Sequence, residues 1–314
     1  RMEAAGYGPR KGYKPLLFWN ELFDNPGLGN EFPPYDGKRI EAEAKKAAAF
    51  GAEGLYLDPG WDSDRGSAIW PYSRSGPLAP LVKRIARLYG LPIGVHTPLP
   101  SMTSARVHPK ESWRLSDGKR YGELCPGAQQ YQDEQYKRLS ALAENGISYM
   151  MLDGTRYMGD CEDPAHGHAI PFTRESHVAA VWSLLERFKR AFPRVVVELH
   201  DPLNGGQLFR LSPMYLLYDR AHSFDEAWAS EFMLLPLKYL LDGPAKGLYY
   251  YNLAYSLPLY QHIELRTDTI GGLAFWWYAS TCRRLGIGGT TKDAKLLAAQ
   301  KAAVSLYRKH GDFF

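Results

Sequence analysis

Cysteine is scarce in this sequence. The chain has three cysteines in 314 residues, at Cys125, Cys161 and Cys282. They lack the paired C-x2-C spacing of common zinc sites, and three scattered thiols cannot form the framework of a small disulfide-rich domain. The cysteine pattern therefore argues against a disulfide scaffold, and it predicts no metal site.

Long hydrophobic runs and clusters of one charge are also missing. No stretch of about 18 apolar residues occurs, and residues 1–10 lack the apolar segment of a signal peptide, so no membrane contact is predicted. The 38 Lys and Arg residues and the 34 Asp and Glu residues are dispersed, with a net charge of +4. Because nucleic acid binding needs clustered basic residues, it is not expected.

Apolar and aromatic side chains, in contrast, are abundant. Hydrophobic residues make up 45% of the chain, which contains 21 Tyr and 8 Trp. This composition is typical of a folded protein with a large core. Amphipathic rings also suit the flat faces of sugars.

Short apolar segments alternate with longer amphipathic segments along the chain. Eight strands are predicted, at 16–23, 54–61, 92–99, 148–154, 195–201, 214–220, 247–255 and 273–281. Helices are predicted over 37–49, 78–89, 129–145, 174–191, 225–241 and 294–309. Apolar strands that alternate with helices indicate an α/β fold with a parallel sheet covered on its faces.

Eight strand–helix units predict a (β/α)8 TIM barrel. No repeat or break in composition divides the chain, so a single domain over 1–314 is predicted. A doubly wound open sheet is the alternative, although no glycine-rich phosphate turn follows the first strand. The long segment 101–125 is predicted to be a functional loop, because it exceeds an ordinary connection.

The active site of a (β/α)8 barrel forms at the carboxyl ends of its strands. Polar and aromatic residues in those positions are therefore the candidates. They are Trp19, Asn20, Glu21, Asp58, Trp61, His96, Asp153, Glu198, His200, Asp201, Asp219, Arg220, Asn252, Trp276 and Trp277. The set is rich in carboxylates.

Three aspartates are candidates for acid–base chemistry. Asp153 ends an apolar segment, where an isolated charge is costly to bury without a partner. Asp219 ends the segment MYLLYD beside Arg220, which could keep a carboxylate ionised. Asp225 lies near the start of a predicted helix, where an acidic residue can also be a simple cap. Two carboxylates that face each other across a pocket can cleave a glycosidic bond.

Neighbouring side chains complete the predicted pocket. The predicted aromatic walls for a carbohydrate are Trp19, Trp61, Trp276 and Trp277. The predicted sugar contacts at the strand ends are Asp58, Trp61, His96, Glu198, His200 and Arg220. No cofactor is predicted.

Metal-assisted hydrolysis is an alternative. The ligand types are present in His96, His200, His222 and the segment 160–168. However, the first predicted strand has no His-x-His pair and the eighth has no carboxylate. The segment 160–168 is therefore interpreted as a polar rim.

The strand-end motifs, taken in order, resemble the catalytic barrel of the clan D glycoside hydrolases, the α-galactosidase and α-N-acetylgalactosaminidase families 27 and 36. LFWNELFDN, at 17–25, is similar to the Trp-containing segment that opens those barrels. LYLDPGWDS, at 55–63, resembles their Asp-x-Gly-Trp motif, which lines the sugar subsite. LCPG, at 124–127, looks like a Pro-containing segment that precedes the fourth strand of the family. SYMMLDGT, at 148–155, resembles the motif on the fourth strand itself. ELHDPLNGG and LSPMYLLYDR, at 198–206 and 211–220, are similar to the family 36 segments around strands five and six.

The resemblance implies a retaining α-glycoside hydrolase that acts on an α-galactoside-like or α-N-acetylgalactosaminide-like sugar. It places the nucleophile on Asp153 and the general acid/base on Asp219, with Asp225 in reserve. Two positions depart from the family pattern: Met151 stands where the family usually has Lys, and Pro59 where many members have a second Asp. Since both changes remove hydroxyl contacts, a carbohydrate-binding barrel without catalysis is the alternative.

Overall fold

The computed structural model describes residues 16–21, 36–64, 66–199, 259–265 and 283–310. The strands are β1 (Phe18–Asn20), β2 (Gly54–Leu57), β3 (Ile93–Pro98), β4 (Trp113–Ser116), β5 (Lys119–Leu124), β6 (Tyr149–Asp153), β7 (Val196–Leu199), β8 (Leu259–Glu264) and β9 (Arg283–Gly288). The helices are α1 (Gly37–Phe50), α2 (Tyr72–Ser75), α3 (Leu78–Tyr89), α4 (Gln129–Glu144), α5 (Arg174–Ala191) and α6 (Ala294–His310).

Seven of these strands form one parallel sheet. Their spatial order is β7-β6-β3-β2-β1-β9-β8, and every neighbouring pair is parallel. Helices separate most of the consecutive strands, because a parallel connection needs a crossover. The α/β fold predicted from the sequence is therefore confirmed.

The last strand, β9, lies beside the first strand, β1. Neither β8 nor β9 is among the predicted strands, because their sequences, LYQHIE and RRLGIG, lack a continuous apolar run. The segments 214–220, 225–241, 247–255 and 273–281 lie outside the described residues.

The segment 101–125, predicted to be a functional loop, contains a hairpin. β4 and β5 pair antiparallel, with Ser116 opposite Lys119. Asp117 and Gly118 make the turn between them with φ values of 50° and 70°. An Asp-Gly pair with positive φ at both residues is the preferred two-residue hairpin turn, so this dipeptide was an available sequence signal.

Side chains alternate between the two faces of the sheet. On the inner face, Phe18, Tyr56, Tyr149 and Met151 pack into a small buried cluster, called here the inner layer. The outer-face residues of the same strands, among them Leu55, Leu57, Met150 and Leu152, join the larger core with the helices. Because successive residues of a strand point to opposite faces, this alternation fixes which strand-end residues point inward.

Two glycines make room for the inner layer. A Cβ atom at Gly54 would lie 2.6 Å from Cε1 of Phe18, and one at Gly94 would overlap the ring of Tyr149. Both residues lie on the inner face, so the aromatic rings occupy the space that side chains would otherwise fill. The inner layer is closely packed for this reason.

Arg138, on α4, anchors the loops that follow β2 and β3. Its guanidinium donates to the carbonyl of Ser67 at 2.9 Å and to the carbonyl of Val107, and it donates to Nε2 of His108 at 3.2 Å. Glu134 accepts from Nε of Arg138 at 2.8 Å. Burial and the Arg138 charge lower the pKa of His108 to about 4, so His108 is neutral and can accept this bond.

Helix α1 begins and ends at common capping residues. Asp36 accepts from the backbone N–H of Arg39 at the start of α1, and Gly51 ends the helix with φ 77°. No helix among the described residues is long and apolar enough to cross a membrane.

Candidate active site

Four polar side chains lie at the carboxyl ends of β1, β2, β3 and β6. They are Asn20, Asp58, His96 and Asp153, called here the mouth group. All four are buried, with exposed fractions of 0%, 6%, 4% and 8%. Asn20, Asp58 and Asp153 each stand two residues after a member of the inner layer, and His96 stands two residues after Gly94, because the positions on one face recur at every second residue.

His96 and Asp153 form the central pair of the mouth group. Nε2 of His96 lies 3.1 Å from Oδ2 of Asp153. An ionised carboxylate can only accept, so His96 donates this hydrogen bond. The neighbouring parallel strands β3 and β6 fix the geometry, with His96 opposite Met151 and Pro98 opposite Asp153. The buried charge predicted to need a partner therefore has one.

Asp58 is held by its neighbours on β1 and β2. Asn20 donates from Nδ2 to Oδ2 of Asp58 at 2.9 Å, and the hydroxyl of Tyr56 lies 3.3 Å from Oδ1. The backbone N–H of Asp58 donates to Oε1 of Glu21 at 3.1 Å. Asn20 and Tyr56 thus hold the carboxyl group, and Glu21 holds the backbone of the same residue.

Met151 takes part in the inner layer and not in a charged contact. Its Sδ lies 3.1 Å from the hydroxyl of Tyr56, which also faces Asp58. Met151 is 1% exposed. The methionine therefore places a thioether beside the mouth group, where the resemblance would place an ammonium group.

Trp19 does not lie where the sequence predicts an aromatic wall. Its indole Nε1 donates to Oε2 of Glu43 on α1 at 2.9 Å, and its ring packs 5.1 Å from that of Phe50. Trp19 occupies the outer face of β1, between Phe18 and Asn20, which point inward. The prediction of Trp19 as a sugar contact is therefore wrong, because the side-chain alternation sends it into the sheet–helix core.

Trp61 supports the backbone of His96. Its Nε1 donates to the carbonyl of His96 at 2.9 Å, and its ring stacks on Trp70 at 6.2 Å. The side chain is 1% exposed and presents almost no ring surface, so the prediction of Trp61 as an aromatic wall and direct sugar contact is wrong. Trp61 fixes the end of β3 and thereby positions His96.

Asp62 is a further buried acid near the mouth group, and it is not among the residues predicted from the sequence. It accepts from the backbone N–H of Ala68 at 3.2 Å and from the hydroxyl of Ser67 at 3.4 Å. Burial raises the pKa of Asp62, while those hydrogen bonds and the charge of His96 act in the opposite direction. Its place directly after Trp61 in LYLDPGWDS was the available signal.

Several predicted site residues cannot be placed. Asp219, Asp225, His200 and Arg220 lie outside the described residues. Glu198 lies on β7, opposite Met151 in the register of β6 and β7. The structure thus brings together Asp58, His96 and Asp153 of the predicted set.

A second group of polar residues lies in the loops. Cys125, Cys161, His166 and His168, called here the thiol–imidazole cluster, bring their ligand atoms within 4.8 Å of one another. The hydrogen bond to Cys125 lowers the pKa of Cys161 to about 3, and it raises that of Cys125. Cys161 and His166 are buried, so the interpretation of 160–168 as a polar rim is wrong for these two residues.

Comparisons with known proteins give the fold. No model of a protein family matches the chain, and no curated protein sequence does. Among solved structures, the GH36 alpha-galactosidase AgaB from Geobacillus stearothermophilus is similar, with a TM-score of 0.71 and 16% identity over 96% of this chain. A variant of AgaA from the same organism, in complex with stachyose, has a TM-score of 0.70 and 16% identity.

A third similar structure is TtGalA, an alpha-galactosidase from Thermus thermophilus in complex with p-nitrophenyl alpha-D-galactopyranoside. It has a TM-score of 0.58 and 14% identity over 95% of this chain. The chain spans 43% of the length of AgaA and AgaB and 63% of TtGalA. The chain therefore shares the fold of one region of these longer proteins.

Proposed function

We propose that this chain is the catalytic region of a retaining α-glycoside hydrolase that acts on an α-galactoside-like or α-N-acetylgalactosaminide-like sugar. One observation carries the proposal: the carboxyl group of Asp153 ends β6 and is held 3.1 Å from the ring of His96. The fold around it is shared with GH36 alpha-galactosidases. A buried carboxylate fixed at the carboxyl end of a parallel strand is a strong candidate for a catalytic group.

Asp153 is the proposed nucleophile. Its carboxylate attacks the anomeric carbon, a carbon–oxygen bond to the enzyme forms, and the glycosidic bond breaks. The leaving oxygen takes a proton from a second carboxylic acid, proposed to be Asp219 with Asp225 in reserve. That carboxylate then removes a proton from water, which attacks the same carbon and releases the sugar with its configuration retained.

Asp58, Asn20 and His96 are proposed to bind sugar hydroxyls beside this centre. The carboxyl group, the amide and the imidazole lie on adjacent strands, and hydrogen bonds fix their orientations. Such preorganised polar groups reduce the cost of orienting a substrate. Glu198, His200 and Arg220 are the remaining proposed sugar contacts, and Trp61 supports the group through His96.

We further propose that the sheet closes into a (β/α)8 barrel as a single domain over 1–314. The support is the strand order, in which the last strand returns to the first and neighbours in space follow each other in the chain.

The first test is Asp153→Asn, assayed on aryl α-galactosides and aryl α-N-acetylgalactosaminides. We expect loss of turnover by at least about 10⁴-fold, because the amide cannot form the glycosyl-enzyme. Asp133→Asn is the matched control, since Asp133 lies on the exposed surface of α4 with a side chain 55% exposed. Turnover by Asp153→Asn at the control rate would overturn the proposal.

The acid/base is identified by comparing Asp219→Ala with Asp225→Ala. An aryl leaving group of low pKa departs without protonation, whereas a sugar leaving group needs a proton. The acid/base variant should therefore lose far more activity on a galactosyl disaccharide than on the activated aryl galactoside. Proton NMR of the first product then reads the stereochemistry, and an inverted anomer contradicts the retaining mechanism.

A carbohydrate-binding barrel without catalysis is the second candidate. The observation that favours it is the thioether of Met151 beside Tyr56. A thioether at this position cannot make the charged contact to a sugar hydroxyl that a lysine would make. In this case galactose or N-acetylgalactosamine raises the melting temperature, and no phenol is released from any aryl glycoside.

A further inference from the structure

The thiol–imidazole cluster brings four ligand atoms of two kinds to one point. They are Sγ of Cys125, Sγ of Cys161, Nδ1 of His166 and Nε2 of His168, which all lie within 4.8 Å of one another. We propose that these four residues bind one zinc ion as a structural site. Two thiolates and two imidazoles are a common ligand set for structural zinc, which is tetrahedral.

The measured distances fit such a centre. Sγ of Cys125 lies 3.4 Å from Nε2 of His168, and Sγ of Cys161 lies 3.4 Å from Nδ1 of His166. A tetrahedral zinc ion with bonds of about 2.3 Å to sulfur and about 2.1 Å to nitrogen separates sulfur from nitrogen by about 3.6 Å. The four atoms therefore need only small shifts to reach this geometry.

The second nitrogen of each ring faces an acceptor. Nδ1 of His168 lies 2.9 Å from the carbonyl of Ala169, which can only accept, so the proton is on Nδ1 and the lone pair is on Nε2. Nε2 of His166 lies 3.4 Å from Oδ2 of Asp163, an ion-pair distance without a hydrogen bond, and this carboxylate also pairs with Arg120 at 2.6 Å. The carbonyl of Ala169 therefore orients His168 in the way that outer partners orient the histidine ligands of zinc, and Asp163 places a carboxylate beside His166.

The backbone around the cluster is fixed. Cys161 and Phe172 form an antiparallel bridge, and the backbone N–H of Cys125 donates to the carbonyl of Ser112 at 2.8 Å. Gly127 lets the ring of Phe172 and the ring of His168 approach, since a Cβ there would lie 2.8 Å from Cδ2 of His168. The ligand positions are thus set by hydrogen bonds and packing outside the cluster.

The proposed ion joins two parts of the chain that are far apart in sequence. Cys125 directly follows β5 and precedes α4, whereas Cys161, His166 and His168 lie between β6 and α5. The ion would tie the segment that follows Asp153 to the β4–β5 hairpin. A crosslink that closes a long loop stabilises a fold by restricting the unfolded chain.

The first experiment measures zinc in the purified full chain without an affinity tag. We expect about one zinc per chain, and a melting temperature that falls on removal of zinc by a chelator and recovers with ZnCl2 but not with MgCl2. Loading with Co²⁺ should give the intense visible and near-ultraviolet bands of a tetrahedral cobalt–thiolate centre. Zinc content, melting temperature and the cobalt spectrum need no substrate, so they are independent of the proposed hydrolase activity.

Two ligand variants locate the site, Cys161→Ser and His168→Gln. Each should weaken zinc binding by more than about 100-fold, the upper range for the loss of a supporting group around a metal. His310→Gln, at the end of α6, is the control and should bind zinc like the natural chain. Zinc binding that persists unchanged in both ligand variants would overturn the proposal.

Two other results would also overturn it. One is a natural chain that takes up no zinc after reduction and loading. The other is a disulfide between Cys125 and Cys161, found by mass spectrometry in freshly prepared protein together with a cobalt spectrum that lacks thiolate bands. Both results leave the cysteines and histidines without a shared ion.

Discussion

The mouth group is a buried set of four polar side chains, and the thiol–imidazole cluster is a set of four of which three are buried and His168 is half-buried, but the chain assembles the two differently. The mouth group uses one residue from the end of each of four adjacent parallel strands. The cluster takes three residues from one loop and a fourth from a distant connection. Strand ends meet because the sheet brings them together, whereas the cluster forms only if two loops are correctly placed.

The two groups also differ in their charge partners. In the mouth group, the carboxyl groups of Asp58 and Asp153 are held by an amide and an imidazole. In the cluster, the thiols of Cys125 and Cys161 each face a ring nitrogen. The first arrangement suits a polar organic ligand and the second a soft metal ion. Variants of the mouth group should therefore change kcat/KM, whereas variants of the thiol–imidazole cluster should change zinc content.

Among the residues that support Asp153 and the loops around it, the largest effect is expected at His96. In His96→Ala, the carboxyl group of Asp153 loses its imidazole donor and its orientation, so kcat/KM should fall by about 100-fold. His96→Gln keeps an N–H donor and should recover part of this loss. The measurement is kcat/KM on an aryl α-galactoside across a range of pH.

Zinc content should not change in either His96 variant. If His96→Ala lowers zinc content as well as kcat/KM, the two groups are not independent. If both variants keep the natural kcat/KM, His96 does not position Asp153.

The second-largest effect is expected on the pH dependence of the free energy of unfolding. It comes from His108, which together with Arg138 supports the loops near the mouth group. Burial lowers the pKa of His108 from 6.5 to about 4. Between these two values the unfolded chain binds the proton and the folded chain does not, so the free energy of unfolding falls as the pH falls. The loss across this range is at most about 3.5 kcal/mol, at about 1.4 kcal/mol for each pH unit.

The check is urea unfolding of the natural chain and of His108→Gln between pH 4 and pH 7. The variant should have a flatter profile over that range, because its side chain does not titrate. Burial lowers the pKa of His177 as well, and that residue acts in the same direction in both proteins. Parallel profiles for the two proteins would show that His108 contributes nothing.

The smallest effect is expected at Trp19, on the outer face of β1. Trp19→Phe removes the N–H that donates to the buried carboxylate of Glu43, which should lower the free energy of unfolding by about 2 kcal/mol. Since the ring faces α1, kcat/KM should stay within about 2-fold of the natural value. A loss of kcat/KM above 10-fold with unchanged stability would restore Trp19 to the sugar site.

Sequence could predict those parts of the molecule that follow from local pattern and topology. Helices α3 and α5 begin and end where their apolar spacing predicts. Asp58, His96 and Asp153 are brought together because they end strands that lie side by side. The sequence predicts which residues end the strands, and in a parallel sheet the ends of neighbouring strands lie close together.

The remaining features depend on which face a side chain takes and on how loops meet. Trp19 and Asn20 are neighbours in the chain, yet the first packs on α1 and the second reaches Asp58. A one-residue change in register reverses such an assignment. Cys125 and Cys161 are separated by the whole of α4 and β6, so no local spacing reveals that they meet.

The inner layer has a consequence for access to the mouth group. Phe18, Tyr56, Tyr149 and Met151 fill the inner face of the sheet directly below the strand ends. Among the described strands, these four side chains fill the space below Asn20, Asp58 and Asp153. A ligand that reaches the mouth group from the carboxyl ends of these strands therefore meets the Tyr56 hydroxyl and the Met151 thioether beneath it, and this pair limits how deeply it can enter there.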